Sequence, residues 1–255
     1  MALVTGAAAG IGLGVARRLA NEGASVAMVD RNAAELAEAA AELERSIGAR
    51  VQPIVADVSS VTDVEAAVET AAKTLGPIDV LVNNAGVWVI KTYLEHTDDD
   101  IERLWSVNLR GAHLFMSRVL PSMIKRGRGS IINISSVAAQ HYTAPHAGYA
   151  ATKAGVEALT RDVAFEVAGY GVRINAIAPG MISPKPPEDV VKSKAAPLGR
   201  GGPDDIAGVV AFLASEDARF IIGHTIPVCG GTDIWVSLGF DSSVADAGRA
   251  RQAGE

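Results

Sequence analysis

Short apolar runs alternate with longer stretches of helical periodicity along most of the chain. Ala2–Thr5 is apolar and ends at Gly6. Val15–Glu22 carries apolar positions at helical spacing and stops at Gly23. Ser25–Asp30 is apolar up to its closing carboxylate. Ala33–Ile47, rich in Ala, Glu and Leu, predicts a helix that ends at Gly48. Val51–Ala56 predicts a strand, Val61–Leu75 a helix stopped by Gly76-Pro77, and Val80–Asn83 a buried strand. Asp98–Arg126 predicts one long helix or two, with Gly127 beyond the end. Ser130–Ile134 predicts a strand, Tyr149–Ala168 a helix, and Arg173–Ala178 a strand ending at Pro179-Gly180. Asp204–Ala214 predicts a helix and Thr225–Val228 a last strand. Alternation of this kind predicts an α/β protein with a doubly wound parallel sheet and helices on both faces.

Composition narrows the picture. Of 255 residues 49% are hydrophobic and only 5% aromatic, so the core is built from Ala, Val, Ile and Leu. The formal charge of −6 and the lack of a long basic run argue against a nucleic-acid partner. Cys229 is the single cysteine, which excludes a disulfide framework and a Cys-based metal site. No apolar run is long enough to span a bilayer, and no leader pattern precedes Ala2, so a cytoplasmic protein is expected. No linker or repeat divides the chain. The expected organisation is one domain over 1–239, with a polar tail over 240–255.

The candidate chemistry gathers at strand ends. The first strand runs into Thr5-Gly6-Ala7-Ala8-Ala9-Gly10-Ile11-Gly12 and then a helix. Glycines allow a sharp turn and close approach to a pyrophosphate, while the helix N-terminus offers free N–H groups. The spacing differs from G-x-G-x-x-G, and a plain tight turn would use the same glycines. Asp30 ends the second strand, where a carboxylate can accept from both ribose hydroxyls and would repel a 2′-phosphate. That favours NAD over NADP; Arg17, Arg18 and Arg31 are the counter-evidence. Asp57-Val58 ends the third strand, and its carboxylate can meet an adenine amino group or simply begin a helix. Asn83-Asn84-Ala85-Gly86 ends the fourth, with amides able to cross-link strands and small residues leaving room for a flat cofactor.

Tyr149 and Lys153 are four residues apart on one predicted helix, so they share a face. A phenol titrates near pH ~10, and an adjacent ammonium favours the phenolate, giving a general acid/base usable near neutral pH. Ser136 follows the Ser130–Ile134 strand, and its hydroxyl can bond a carbonyl or alcohol oxygen; by spacing alone Ser135 serves as well. Asn108 sits in the long helical stretch, where Asn is a poor helix former, so it is either functional or near a kink.

These motifs, in this order, resemble the short-chain dehydrogenases/reductases from residue 3 to about residue 231: Thr5-Gly6-x-x-x-Gly10-Ile11-Gly12, Asp57-Val58, Asn83-Asn84-Ala85-Gly86, Asn108, Ser136, Tyr149-x-x-x-Lys153 and Pro179-Gly180. The resemblance implies a single-domain Rossmann-type fold and hydride transfer between NAD and a secondary alcohol or ketone. It implies that Tyr149 exchanges the hydroxyl proton and that Ser136, rather than Ser135, holds the substrate oxygen. Lys153 would bind the nicotinamide ribose and lower the Tyr149 pKa, and Asn108 would hold a water linking Lys153 to solvent. Gly6, Gly10, Ile11, Gly12, Asp30, Asp57, Val58, Asn84, Ala85 and Gly86 would line the cofactor site. Tyr149, Lys153, Pro179, Gly180, the backbone of Ile182, and Ser183 would meet the nicotinamide half. Ala9, where the family often carries a basic residue for NADP, agrees with Asp30. A homotetramer or dimer is implied, with contacts through Asp98–Arg126 and Tyr149–Ala168.

Some positions depart from the family. The first strand begins almost at Met1, and Cys229 stands where aspartate is common before Gly230-Gly231. The segment between Ile182 and Pro197 is short for a substrate cover. Its Lys185, Lys192 and Lys194, set among Pro184, Pro186 and Pro187, read as a solvated face ahead of an anion trap. Trp88, His141, Tyr142 and His146 are expected to line the substrate pocket and to favour a small polar substrate such as a polyol, sugar or hydroxy acid. Trp235 is a further candidate. No histidine or carboxylate spacing suggests a metal site. The alternatives are a 3-oxoacyl-thioester reductase of the same fold and, from another class, a non-catalytic dinucleotide sensor.

Overall fold

The computed structural model describes residues 1–141, 144–183 and 197–233. Tyr142, the 184–196 prolines and lysines, Trp235 and the 240–255 tail lie outside the described residues. From the amino end the chain runs through β1 (Ala2–Thr5), α1 (Gly10–Asn21), β2 (Val26–Asp30), α2 (Ala33–Ile47), β3 (Val51–Val55), α3 (Val61–Leu75) and β4 (Val80–Asn83). It continues with α4 (Asp98–Leu104), a π-helical turn at Trp105–Arg110, and α5 (Gly111–Arg126). The last elements are β5 (Gly129–Ile134), α6 (Ala147–Val167), β6 (Val172–Pro179), α7 (Pro203–Ala214) and β7 (Thr225–Val228). The stretch Asp98–Arg126, expected as one long helix or two, thus holds two helices joined by one widened turn, and Asn108 lies in it.

The strands form one seven-stranded sheet in the order β3-β2-β1-β4-β5-β6-β7. Every pairing is parallel. Strand alternation divides the core into two layers. On one face Val4, Met28, Val82 and Ile177 pack under Val15 and Leu19 of α1, Leu36 and Leu43 of α2, and Val210 and Leu213 of α7. On the other, Leu3, Val29, Leu81 and Ile131 pack under Val64 of α3, Phe115 and Val119 of α5, and Ala164 and Val167 of α6. Burying both faces explains why the strands read as near-continuous apolar runs.

The order reverses between β1 and β4, so the crevice outside their carboxyl ends is the switch point where such sheets take ligands. The α1 helix begins at Gly10, several residues ahead of the predicted Val15, because the glycine loop itself forms the first turn. Gly6 has φ 65°, and a Cβ at Gly12 would lie 2.0 Å from the Gly6 carbonyl oxygen. Glycine at both places is what lets the loop double back onto the helix.

Candidate active site

At the switch point, the residue before α1 is Ala9, and no side chain caps the helix. Its first N–H groups and the positive end of its dipole therefore face the crevice without a side-chain anion of their own. Asp30, at the end of β2, accepts from the Ala8 N–H at 3.2 Å with Oδ2 and from the Asn32 N–H at 3.0 Å with Oδ1. The carboxylate is thus fixed beside the glycine loop. Arg18 turns instead to Glu22, at 2.8 Å along α1, and Arg17 is exposed on the same helix.

Asn84 joins β4 to β1: its Nδ2 donates to the Thr5 and Gly6 carbonyls at 2.9 and 3.1 Å. The Thr5 hydroxyl accepts from the Asn84 and Ala85 N–H groups at 3.0 and 3.1 Å. Thr5 is thus a structural member of the crevice that sequence reading passed over, although it heads the glycine motif. Asn83 points into the core and donates to Asn133 at 2.9 Å. Asp57 begins the turn that leads into α3. Its Oδ1 accepts from the Ser59 N–H and hydroxyl at 2.8 and 2.6 Å, and that hydroxyl holds the carboxyl below its ordinary pKa. Val58 is buried against Gly111.

The chemical cluster is assembled from β5 and α6. Ser136 and Tyr149 are in hydrogen-bond contact through their hydroxyls. Ser135, the other serine left open by spacing, is buried and donates to Glu157 Oε1 at 2.9 Å. Geometry thus separates two serines that sequence spacing did not. Lys153 is 4% exposed; its Nζ donates to the Ile134 carbonyl at 2.7 Å and lies 5.7 Å from the Tyr149 ring centre. Burial lowers its pKa to about 8. Tyr149 differs from expectation: burial raises its pKa, and the Ser136 hydrogen bond opposes that rise. The rise comes from burial of the phenol itself.

Asn108 is held through its side-chain amide. Its Oδ1 accepts from the Val87 N–H at 2.7 Å, while its Nδ2 donates to the Val87 carbonyl at 2.9 Å and to the Thr152 hydroxyl at 3.2 Å. Thr152 in turn donates to the Tyr149 carbonyl at 2.7 Å. The widened turn thus ties the segment after β4 to the helix bearing Tyr149. A Cβ at Gly86 would sit 3.3 Å from Asn108 Oδ1 and 3.6 Å from Lys153 Nζ, so this residue packs directly against both side chains.

Beyond β6, Gly180 backs onto Cys229, and its N–H donates to the Val228 carbonyl at 3.0 Å. Ile182 bridges to Gly201, and the Ser183 N–H donates to the Gly201 carbonyl at 2.9 Å. Of the expected pocket residues, Trp88 and His146 join Tyr149. The Trp88 indole N–H donates to His146 Nδ1 at 3.0 Å, and the three rings lie 5.4 to 6.4 Å apart. His141 is exposed and borders a neighbouring cavity of about 280 Å³ with Tyr93, Pro145 and His146. Among the described residues no cluster of His, Cys, Asp or Glu could hold a metal, and no helix is long and apolar enough to cross a membrane.

The residues present fit a dinucleotide: a glycine cradle closed to side chains, an uncapped helix start, a fixed carboxylate at the end of β2 and a buried lysine beside Gly86. Comparisons agree. A family model described as enoyl-(acyl carrier protein) reductase matches residues 6–233. The chain is 39% identical to a short-chain dehydrogenase/reductase of Armillaria gallica over 248 residues, covering 91% of this chain and 95% of the relative. It is also 39% identical to a 3-oxoacyl-(acyl-carrier-protein) reductase of Staphylococcus aureus, covering 90% and 96%. A solved levodione reductase superposes with a TM-score of 0.86 at 36% identity, covering 92% and 98%. The chain belongs to the short-chain dehydrogenases/reductases, oxidoreductases that act on CH–OH groups with a nicotinamide dinucleotide.

Proposed function

We propose that the protein is an NAD(H)-dependent oxidoreductase that interconverts a secondary alcohol and a ketone, with Tyr149 as its acid/base. The observation that carries this reading is the contact of the Ser136 and Tyr149 hydroxyls, one helical turn from a buried Lys153. When bound, the nicotinamide supplies or accepts the hydride. Tyr149 gives a proton to the carbonyl oxygen in reduction and takes it from the hydroxyl in oxidation. Ser136 holds that oxygen by a hydrogen bond. Lys153 binds the ribose beside Gly86 and helps hold the phenol. Asn108 keeps the segment after β4 against α6, and the water relay implied by resemblance would have to pass its main chain rather than its occupied amide.

Asp30 supports NAD: a carboxylate already fixed by two N–H groups cannot easily turn away from a 2′-phosphate. Arg31 is the residue that would favour NADP, since its charge reaches the neighbouring Asp57. The Staphylococcus relative supports a second reading, reduction of a 3-oxoacyl thioester. The catalytic unit of this reading is a single domain over 1–239. Self-association, as a dimer or tetramer, is supported by exposed Trp105 and Phe165 on the stretches named for contact. A free Cys229 suits a reducing cytoplasm.

The test measures turnover with NAD and NADP on secondary alcohols and on a 3-oxoacyl thioester. The parent is expected to favour NAD and the alcohols, and Asp30→Ala to narrow the cofactor preference by about tenfold or more. Tyr149→Phe is expected to lose about 10²- to 10⁴-fold in kcat while still binding NADH. A parent that favours NADP and the thioester establishes the second reading; undiminished turnover by Tyr149→Phe overturns both.

A further inference from the structure

We infer that Trp88 determines specificity: its indole face receives the C–H face of a six-membered ring, so the preferred substrates carry the reacting carbon on such a ring. The inference rests on Tyr149 being the reaction centre, as proposed above.

Trp88 is unusually well held for an exposed residue. The backbone of its neighbour Val87 is gripped at both N–H and carbonyl by the Asn108 amide. Its own indole N–H donates to His146 Nδ1 at 3.0 Å. Yet the side chain is 60% exposed. The ring centre lies 6.4 Å from that of Tyr149, tilted by 51°. An oriented, largely exposed aromatic side chain thus stands beside the Tyr149 ring. Its one polar atom is spent on His146, so what it offers a ligand is carbon and π density.

His146 is 5% exposed and packs edge-on against Tyr149 at 5.4 Å. Burial holds its imidazole below the ordinary pKa, so it is neutral at neutral pH, and Nδ1 is already accepting from Trp88. This changes the chemistry expected of the pocket. His146 supports a ring rather than offering Nδ1 to the substrate, and His141 faces the adjoining cavity with Tyr93. The wall beside Tyr149 therefore selects for shape and C–H surface. A rigid ring meets a flat indole with little loss of torsional freedom, whereas an open chain of the same size must be ordered to do so. An alicyclic ring and the C–H face of a pyranose share this chemistry.

The experiment measures kcat/KM with NAD for cyclohexanol, its open-chain counterpart 2-hexanol, and an aldopyranose. It compares the parent with Trp88→Ala, Trp88→Phe, His146→Ala and His146→Asn. The ratio of ring to open chain is read within one preparation, so it does not depend on how much of a variant is folded. The parent is expected to favour a ring substrate by about tenfold or more. Trp88→Ala should bring the ratio near one, and Trp88→Phe should keep most of it. His146 is a positioning residue: His146→Ala should lower the ratio, and His146→Asn, whose amide oxygen can accept the indole N–H, should restore much of it. The pyranose and cyclohexanol arms tell the two ring sources apart. A parent that turns over no ring substrate faster than 2-hexanol overturns the inference. So does a Trp88→Ala protein that keeps the ratio or loses both activities alike. Neither result touches the role of Tyr149, which is judged by Tyr149→Phe alone.

Discussion

A buried phenol that meets a hydroxyl partner is pulled in two directions. At Tyr149 desolvation dominates and raises the pKa, while Ser136 opposes it. The hydroxyl is therefore protonated at neutral pH, ready to give a proton and slow to take one. Oxidation needs the phenolate, so its kcat/KM should climb as pH rises through the alkaline range. Reduction needs the phenol, so its kcat/KM should hold near neutral pH and fall over the same range. Paired pH profiles in the two directions check this; an oxidation rate already at its plateau at pH 6 would contradict it. The pairing of Tyr149 with Lys153 was legible from a four-residue spacing. The direction of the Tyr149 shift was not, because spacing shows which groups are neighbours and not how much water they have lost. Trp88 and His146 are 58 residues apart, and their hydrogen bond has no local signature at all.

At the scale of elements, the punctuation residues were the readable part. The α2, α3, β4 and β7 bounds follow the sequence pattern because they are set locally, two of the helices by a side-chain N-cap, Asn32 and Ser60, and a glycine stop. The α1 helix was misread because its first turn is made of residues that look like loop. Their helical state depends on tertiary packing: Gly12 passes so close to the Gly6 carbonyl that no Cβ fits. Gly12→Ala should therefore raise the NADH dissociation constant at least about tenfold. A titration of NADH fluorescence reads it, with circular dichroism showing that the sheet still forms. The kink near Asn108 was half legible. Asn is a poor helix former, but the widened turn is held by Val87, reached only once β4 is in place.

The whole molecule has two unlike rims. With seven parallel strands, all carboxyl ends lie along one edge, where the glycine loop, Asp30, Asn84, Ser136 and the segment after β6 meet. Sheet class and this gathering of motifs were legible because parallel strands order sequence and space alike; the 184–196 stretch, the expected cover, lies outside the described residues. On the opposite rim the last carbonyls of α7 are tied off. Ser130 Oγ and Arg173 Nη1 both donate to the Leu213 carbonyl, at 2.9 and 2.8 Å, and Arg173 Nη2 donates to the Ser215 carbonyl at 3.1 Å. Arg173→Met should cost about 2 kcal/mol, or several degrees in Tm by thermal melt, and leave kcat/KM unchanged. A loss of turnover at a temperature well below the melt would refute that separation. The knot of donors around one carbonyl is thus a ballast stone, set on the rim opposite the place where selection by substrate acts. Mutations that retune chemistry and mutations that restore sturdiness can accumulate on separate shores, so a lineage can change what it eats without first learning to fold again.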